Sequence, residues 1–205
     1  MIAALVLAAG RAVRMGSPKL LLPVGGEALL ARVLRAARAS RCDDVLVVVG
    51  AGAEDITAAA REAGARAVLN PRYAEGMGTS VAAGIAALPD ACEAVVVMLG
   101  DQPFVGPEII NALIDAHRDT GRPLVASRYG TVRGAPMLIG RDLFDEARAL
   151  DGDVGARVLL RGHPDLLAEV DVGEGPASWD VDTPDDLERV RRADGGADVP
   201  GARTP

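Results

Sequence analysis

The stretch I-A-A-L-V-L-A-A-G-R-A-V-R-M-G-S-P-K-L-L-L, residues 2–22, decides the fold. Ile2 to Leu7 is a short apolar run, β-branched in part, and is expected to be a buried strand. It empties into a loop that carries Gly10 and Gly16 and three cations, Arg11, Arg14 and Lys19. A small-residue loop brings backbone N–H groups close to a ligand, and nearby cations neutralise a polyanion. Together they describe a phosphate cradle. Lys19 is the only lysine among the 22 Lys+Arg residues, so a compact point charge, rather than a planar fork, is wanted there. The plainer reading is a glycine turn with a few arginines, as in many α/β proteins. Neither G-x-x-x-x-G-K-[S/T] nor a clean G-x-G-x-x-G is present.

Outward from this stretch the pattern alternates. Gly25-Gly26 closes the cradle. Ala28, Leu29, Val33, Leu34 and Ala37 follow at helical spacing, and Glu27 suits the positive end of the helix dipole. Strands are expected at 45–49, 67–69, 94–99, 124–127 and 166–170, with another inside 133–140. Helices are expected at 54–63, 79–88, 107–119, 141–149, 154–160 and 184–192. Gly64 is a good residue just past a helix, and Pro107 fits a first helical position. Strand–helix alternation with continuous apolar runs means βαβ units and a mostly parallel sheet covered on both faces. One domain is expected over residues 1–192, with 193–205 a disordered tail rich in Gly and Pro.

The bulk composition excludes several classes. With 205 residues and 49% hydrophobic content the chain fills one sizeable core, and 2% aromatics make that core aliphatic. A net charge of −7 argues against nucleic acid as a partner but not against one nucleotide in a local pocket. No apolar run approaches the roughly 20 residues of a membrane helix, and nothing resembles a signal peptide. Cys42 and Cys92 form no metal motif or disulfide framework, so a reducing cytoplasm is expected.

In an open parallel sheet, ligands bind at the carboxyl ends of the strands near the switch in strand order. Three features fall at such ends. The first is the cradle. The second is G-M-G-T-S, residues 76–80, where glycines, free N–H groups and two hydroxyls suit a base or ribose edge. An ordinary helix start capped by Thr79 or Ser80 explains that motif equally simply. The third is Asp101, directly after the most strand-like run, where a carboxylate beside phosphates holds Mg²⁺. Asp182 is a second candidate carboxylate, although Asp or Thr before Pro-Asp-Asp is also a common helix start. R-G-A-P (133–136) is expected to line the pocket opposite the cradle, and G-D-V-G-A-R (152–157) to bring a loop and an arginine toward an anionic substrate, although either also reads as plain loop. His117 and His163 have no catalytic partner pattern.

Taken in order, L-A-A-G-x-x-x-R-M-G-x-x-K-L-L-L, G-M-G-T-S-V-A-A-G-I, L-G-D-Q-P-F-V, R-G-A-P-M-L-I-G, G-D-V-G-A-R-V-L-L and D-V-D-T-P-D-D-L resemble the motifs of molybdenum cofactor cytidylyltransferases. These are nucleotidyltransferases with a three-layer Rossmann-like, glycosyltransferase-A-type fold. The resemblance runs from Leu7 to about Leu187. It implies transfer of CMP from CTP to a molybdopterin-type phosphorylated acceptor, with Mg²⁺ and release of pyrophosphate. By the same resemblance Leu7, Ala8, Ala9, Gly10 and Arg11 contact the nucleotide, and Arg14 and Lys19 hold the triphosphate. Gly78, Thr79 and Ser80 sit by base and ribose, and Asp101 and Asp182 bind the metal, with Lys19, Arg14 and Asp101 the catalytic set. L-A-A-G, where guanylyl relatives have L-A-G-G, favours CTP over another NTP. A molybdoenzyme or its maturation chaperone is the kind of partner that would receive the product. Two alternatives stand: a guanylyl- or uridylyltransferase for another phosphorylated metabolite, and a non-catalytic nucleotide- or cofactor-binding maturation protein.

Overall fold

The structure is a computed structural model and describes residues 1–10 and 19–195. The expectations for Arg11, Arg14 and the tail from 196 onward lie outside the described residues.

Strand β1 (Ile2–Ala8) leads to a hairpin of two short strands, β2 (Pro23–Val24) and β3 (Glu27–Ala28). Gly25 and Gly26 both have positive φ, 58° and 82°, the backbone that a two-residue hairpin turn demands. Helix α1 (Leu29–Ala39), β4 (Asp44–Val49), α2 (Ala53–Glu62), β5 (Arg66–Leu69) and α3 (Met77–Ala86) follow. Next come β6 (Ala94–Leu99), α4 (Pro107–Thr120), β7 (Leu124–Tyr129) and β8 (Val132–Gly140). The chain continues through α5 (Phe144–Arg148), α6 (Arg157–Gly162), β9 (Leu167–Asp171) and α7 (Pro184–Gly195).

Seven strands form one sheet in the order β5-β4-β1-β6-β8-β7-β9. Strand β1 is parallel to β4 on one side and to β6 on the other. The chain therefore winds outward from β1 to β5 and then crosses back past β1 to β6. The switch point lies between β1 and β6, with Leu7 paired to Leu99 at their carboxyl ends. The sheet is mostly parallel, as expected, but β8 runs antiparallel to both β6 and β7. Only Gly130 and Thr131 separate β7 from β8, too little chain for a parallel crossover.

Alternation along β1 splits the core. Ala4, Val6 and Ala8 pack with Leu30, Leu34, Ile56 and Leu113 on one face. Ala3 and Leu5 pack with Val81, Ile85, Phe144 and Leu159 on the other. Full burial of an aliphatic side chain contributes about 1.5–3 kcal/mol, and Ala3 through Val6 have no exposed surface. The strand that carries the cradle is thus anchored on both faces. Gly84 lets α3 close on it, since a Cβ there would stand 2.5 Å from the Leu5 methyls.

A third apolar cluster of Val24, Leu29, Val181, Leu187 and Val190 ties the C-terminal segment to the β2–β3 hairpin. Helix α7 continues three residues beyond the expected end at Arg192, and Asp194 accepts a hydrogen bond from Arg32 Nη2 at 2.5 Å. That cross-chain ion pair gives Ala193 to Gly195 an ordered place the local composition does not announce.

Candidate active site

The carboxyl ends of β1 and β6 are fastened together, Gly100 N–H donating to Leu7 O at 3.0 Å. Leu7, Ala8, Ala9 and Gly10 line a cavity of about 410 Å³ there, within the size range of small-molecule sites. Lys19, Ser80, Asp101 and Asp182 line the same cavity. Gly78 and Thr79 do not face it.

Lys19 opens a one-turn 3-10 segment, Lys19–Leu21, whose Leu20 is buried in the core. This plants the ammonium between two carboxylates. Lys19 Nζ donates to Asp101 Oδ2 and to Asp182 Oδ1, each at 2.8 Å. Burial pushes the Lys19 pKa down, but Asp101 and Asp182 outweigh it and hold the group above its ordinary value. The Asp101 carboxyl is itself raised, first by burial and then by Asp180 and Asp182, against the pull of Lys19. Asp101, Asp153, Asp180 and Asp182 face the cavity with Lys19 as their single described counter-charge.

Asp182 reaches this point because it is not the helix cap. Thr183 caps α7: its hydroxyl receives the Asp186 N–H at 3.2 Å, and the Asp186 carboxylate accepts from Thr183 N at 2.9 Å. Val181 N–H donates to Asp101 O at 3.2 Å and draws the segment across the sheet end. Asp182 is then free to extend toward Lys19.

A divalent cation fits these residues. Asp101 Oδ1 is buried and has no hydrogen-bond partner, a cost that an ion would remove. No cluster of three or more metal-ligating side chains occurs among the described residues. An ion here would take two carboxylates and complete its shell with phosphate oxygens and water, the mode of magnesium in nucleotide sites.

The G-M-G-T-S segment is used differently from the sequence expectation. Helix α3 starts at Met77, two residues earlier than expected, with Gly76 as N-cap; neither Thr79 nor Ser80 is the cap. Gly78 N–H donates to Gly152 O at 2.9 Å. The Thr79 hydroxyl donates to Gly76 O at 2.9 Å, and buried Asn70 Nδ2 donates to the oxygens of Thr79 and Ser80 at 2.9 and 3.0 Å. A Cβ on Gly78 would stand 2.6 Å from Asp151 O, and one on Gly76, at φ +133°, would overlap the Gly152 backbone. The two glycines therefore dock the 151–154 loop, which in turn points Asp153 at the cavity. Gly76→Ala is expected to cost about 1–3 kcal/mol through backbone strain and loop displacement. Chemical denaturation reads the stability loss, and a raised KM for nucleotide reads the displaced wall.

Tyr73, which lines the cavity, and Asn70, which holds Thr79 and Ser80 behind it, do not stand out in the sequence. Each is a single polar or aromatic position with no spacing to mark it. Asp180 and Asp153 fall inside segments that the sequence singles out, D-V-D-T-P and G-D-V-G-A-R.

The switch-point cavity of this open α/β sheet combines a half-buried lysine with an unpartnered buried carboxylate oxygen, at the place where such sheets bind ligands. The family follows from comparison: the chain belongs to the MobA-like NTP transferases, whose domain matches residues 4–168. It is 34% identical over 194 residues to the nicotine blue oxidoreductase of Paenarthrobacter nicotinovorans, covering 90% of this chain and 94% of that one. It is 31% identical over 204 residues to the purine catabolism protein PucB of Bacillus subtilis strain 168, covering 91% and 94%. The structure resembles that of Rv0371c from Mycobacterium tuberculosis H37Rv, with TM-score 0.83 and 32% identity over 93% of this chain and 97% of that one. The same protein in complex with manganese gives TM-score 0.79 and 30% identity, with 94% and 98% covered. Asp182 lies beyond the matched domain, so the second carboxylate comes from the C-terminal segment. No described helix is long and apolar enough to cross a membrane.

Proposed function

We propose that the chain transfers CMP from CTP to a molybdopterin-type phosphorylated acceptor, with Mg²⁺ and release of pyrophosphate. The observation that carries the reading is Lys19 fixed between Asp101 and Asp182 at the switch point, beside the Leu7–Gly10 segment at the end of β1. An acceptor phosphate oxygen attacks the α-phosphorus of the nucleotide. The bond from that phosphorus to the bridging oxygen breaks, and pyrophosphate leaves with the electron pair. Such transfer rests on positioning and charge stabilisation and asks little covalent work of the protein.

Lys19 supplies a fixed, partly desolvated ammonium to the triphosphate, already oriented before the reaction. Asp101 and Asp182 would hold the metal, which when bound neutralises charge on the phosphates. The charge balance supports this, because four carboxylates facing one described cation repel a bare triphosphate. Ala8 and Ala9 next to the cavity, in the L-A-A-G form, support cytosine as the base. The manganese complex of Rv0371c supports a divalent ion in a close structural relative.

The second reading is a nucleotidyltransferase for a different phosphorylated acceptor. The differing names of the Paenarthrobacter and Bacillus relatives favour keeping it. Pyrophosphate release, measured with Mg²⁺, each of four NTPs and molybdenum-loaded molybdopterin, separates them. Release with CTP alone is expected. Release with GTP or UTP in place of CTP, or none with this acceptor, would overturn the first reading.

A further inference from the structure

A second cavity of about 500 Å³ adjoins the first. Two short stretches wall both. Asp101 lines the first cavity and Gln102 the second; Asp180 lines the first and Trp179 the second. The two cavities therefore share a wall at Asp101–Gln102 and at Trp179–Asp180.

Two polar groups in it lack partners among the described residues. Gln102 is 4% exposed, and its buried Oε1 accepts no hydrogen bond. Arg157, on α6, makes no hydrogen bond or ion pair with another described residue. Its Nη2 lies 2.9 Å from where a Cβ on Gly134 would stand, so the guanidinium rests against bare β8 backbone. The two glycine-rich segments thus meet here, R-G-A-P supplying the gap and G-D-V-G-A-R the cation. Trp179 forms a wall, held by the edge of Phe104 at 6.1 Å and by Arg189 over its ring at 4.6 Å. Glu174 also lines the cavity, and its carboxylate lies against Gly130.

We infer that this second cavity seats the acceptor. Arg157 pairs with its phosphate, Gln102 Oε1 accepts an N–H from its ring, and Trp179 flanks that ring. The ligand class is a phosphorylated heterocycle with N–H donors. The inference rests on the nucleotidyl-transfer reading, in which the first cavity holds the donor.

Trp179 is the chain's one tryptophan, so its fluorescence reports on this cavity. Full-length protein with Mg²⁺ is titrated separately with molybdopterin and with inorganic phosphate, and CTP affinity is measured by equilibrium dialysis. Arg157→Ala is expected to weaken both probes about 10- to 100-fold, the usual weight of a charge-assisted hydrogen bond. CTP affinity stays unchanged, and Arg157→Lys recovers part of the loss. Gln102→Leu weakens molybdopterin and leaves inorganic phosphate alone. If wild type fails to turn over CTP with molybdopterin but still binds phosphate through Arg157, the CTP–molybdopterin reading falls and the cavity assignment stands. Arg157→Ala binding both probes as wild type does, equal loss of CTP, or a silent Trp179 in wild type would overturn it.

Discussion

Lys19→Ala is expected to lower kcat/KM by about two to three orders of magnitude while the protein remains folded. Removing one preoriented electrostatic group from a water-poor site costs about 2.7–4 kcal/mol of transition-state stabilisation. Lys19 qualifies because two carboxylates fix its ammonium at 2.8 Å and its side chain is only 14% exposed. Lys19→Arg recovers only part of the rate, since a planar fork does not occupy the place of a point charge. Stability carries a separate signature. The Lys19 pKa is depressed by burial but raised further by Asp101 and Asp182, so its net position is above 10.5. A raised lysine contributes stability fully below the unfolded value, and that contribution fades as pH climbs through the folded value. The stability gap between wild type and Lys19→Ala should therefore be constant at neutral pH and close only in strong alkali. A gap that closed near neutrality would contradict the pairing.

Asp101→Asn is expected to lower turnover by about three orders of magnitude, the several kcal/mol that a metal supplies to phosphoryl chemistry. The amide keeps the shape and removes the charge from the buried, unpartnered Oδ1. Stability should change little, because burial already disfavours the ionised form of Asp101 and Lys19 keeps Asp182 as a partner at 2.8 Å. Loss of activity without loss of stability separates a ligand from a structural pair. Asp182→Asn should act in the same direction but less, its side chain being 52% exposed. Denaturation curves beside kcat/KM decide the matter: a strongly destabilised Asp101→Asn would make the residue structural.

The central features were legible because they depend on local chemistry. The apolar run of β1, the glycine after it, the single lysine and the aspartate after β6 each carry their own signal, and parallel βαβ winding brings them together. Asp182 was legible as a carboxylate near the end of the chain, but only the Thr183 cap shows why it is free. What was missed depends on distant pairing. The direction of β8 follows from a two-residue turn. The use of Gly76 and Gly78 follows from a loop seventy residues away. Asn70 bonds Thr79 and Ser80 from a strand end with no repeat or spacing to mark it. Gly78 and Thr79, expected beside base and ribose, do not line the cavity: helix α3 begins at Met77, and the two residues bond Gly152 and Gly76.

The most direct measurement is the binding of manganese–CTP, followed by the loss of the free-ion signal in electron paramagnetic resonance. Wild type is predicted to bind the complex, Lys19→Ala to bind it weakly, and the Asp101→Asn, Asp182→Asn double variant to lose the metal while folded. Equal binding by wild type and the double variant would contradict the placement of the metal–nucleotide site at the switch point.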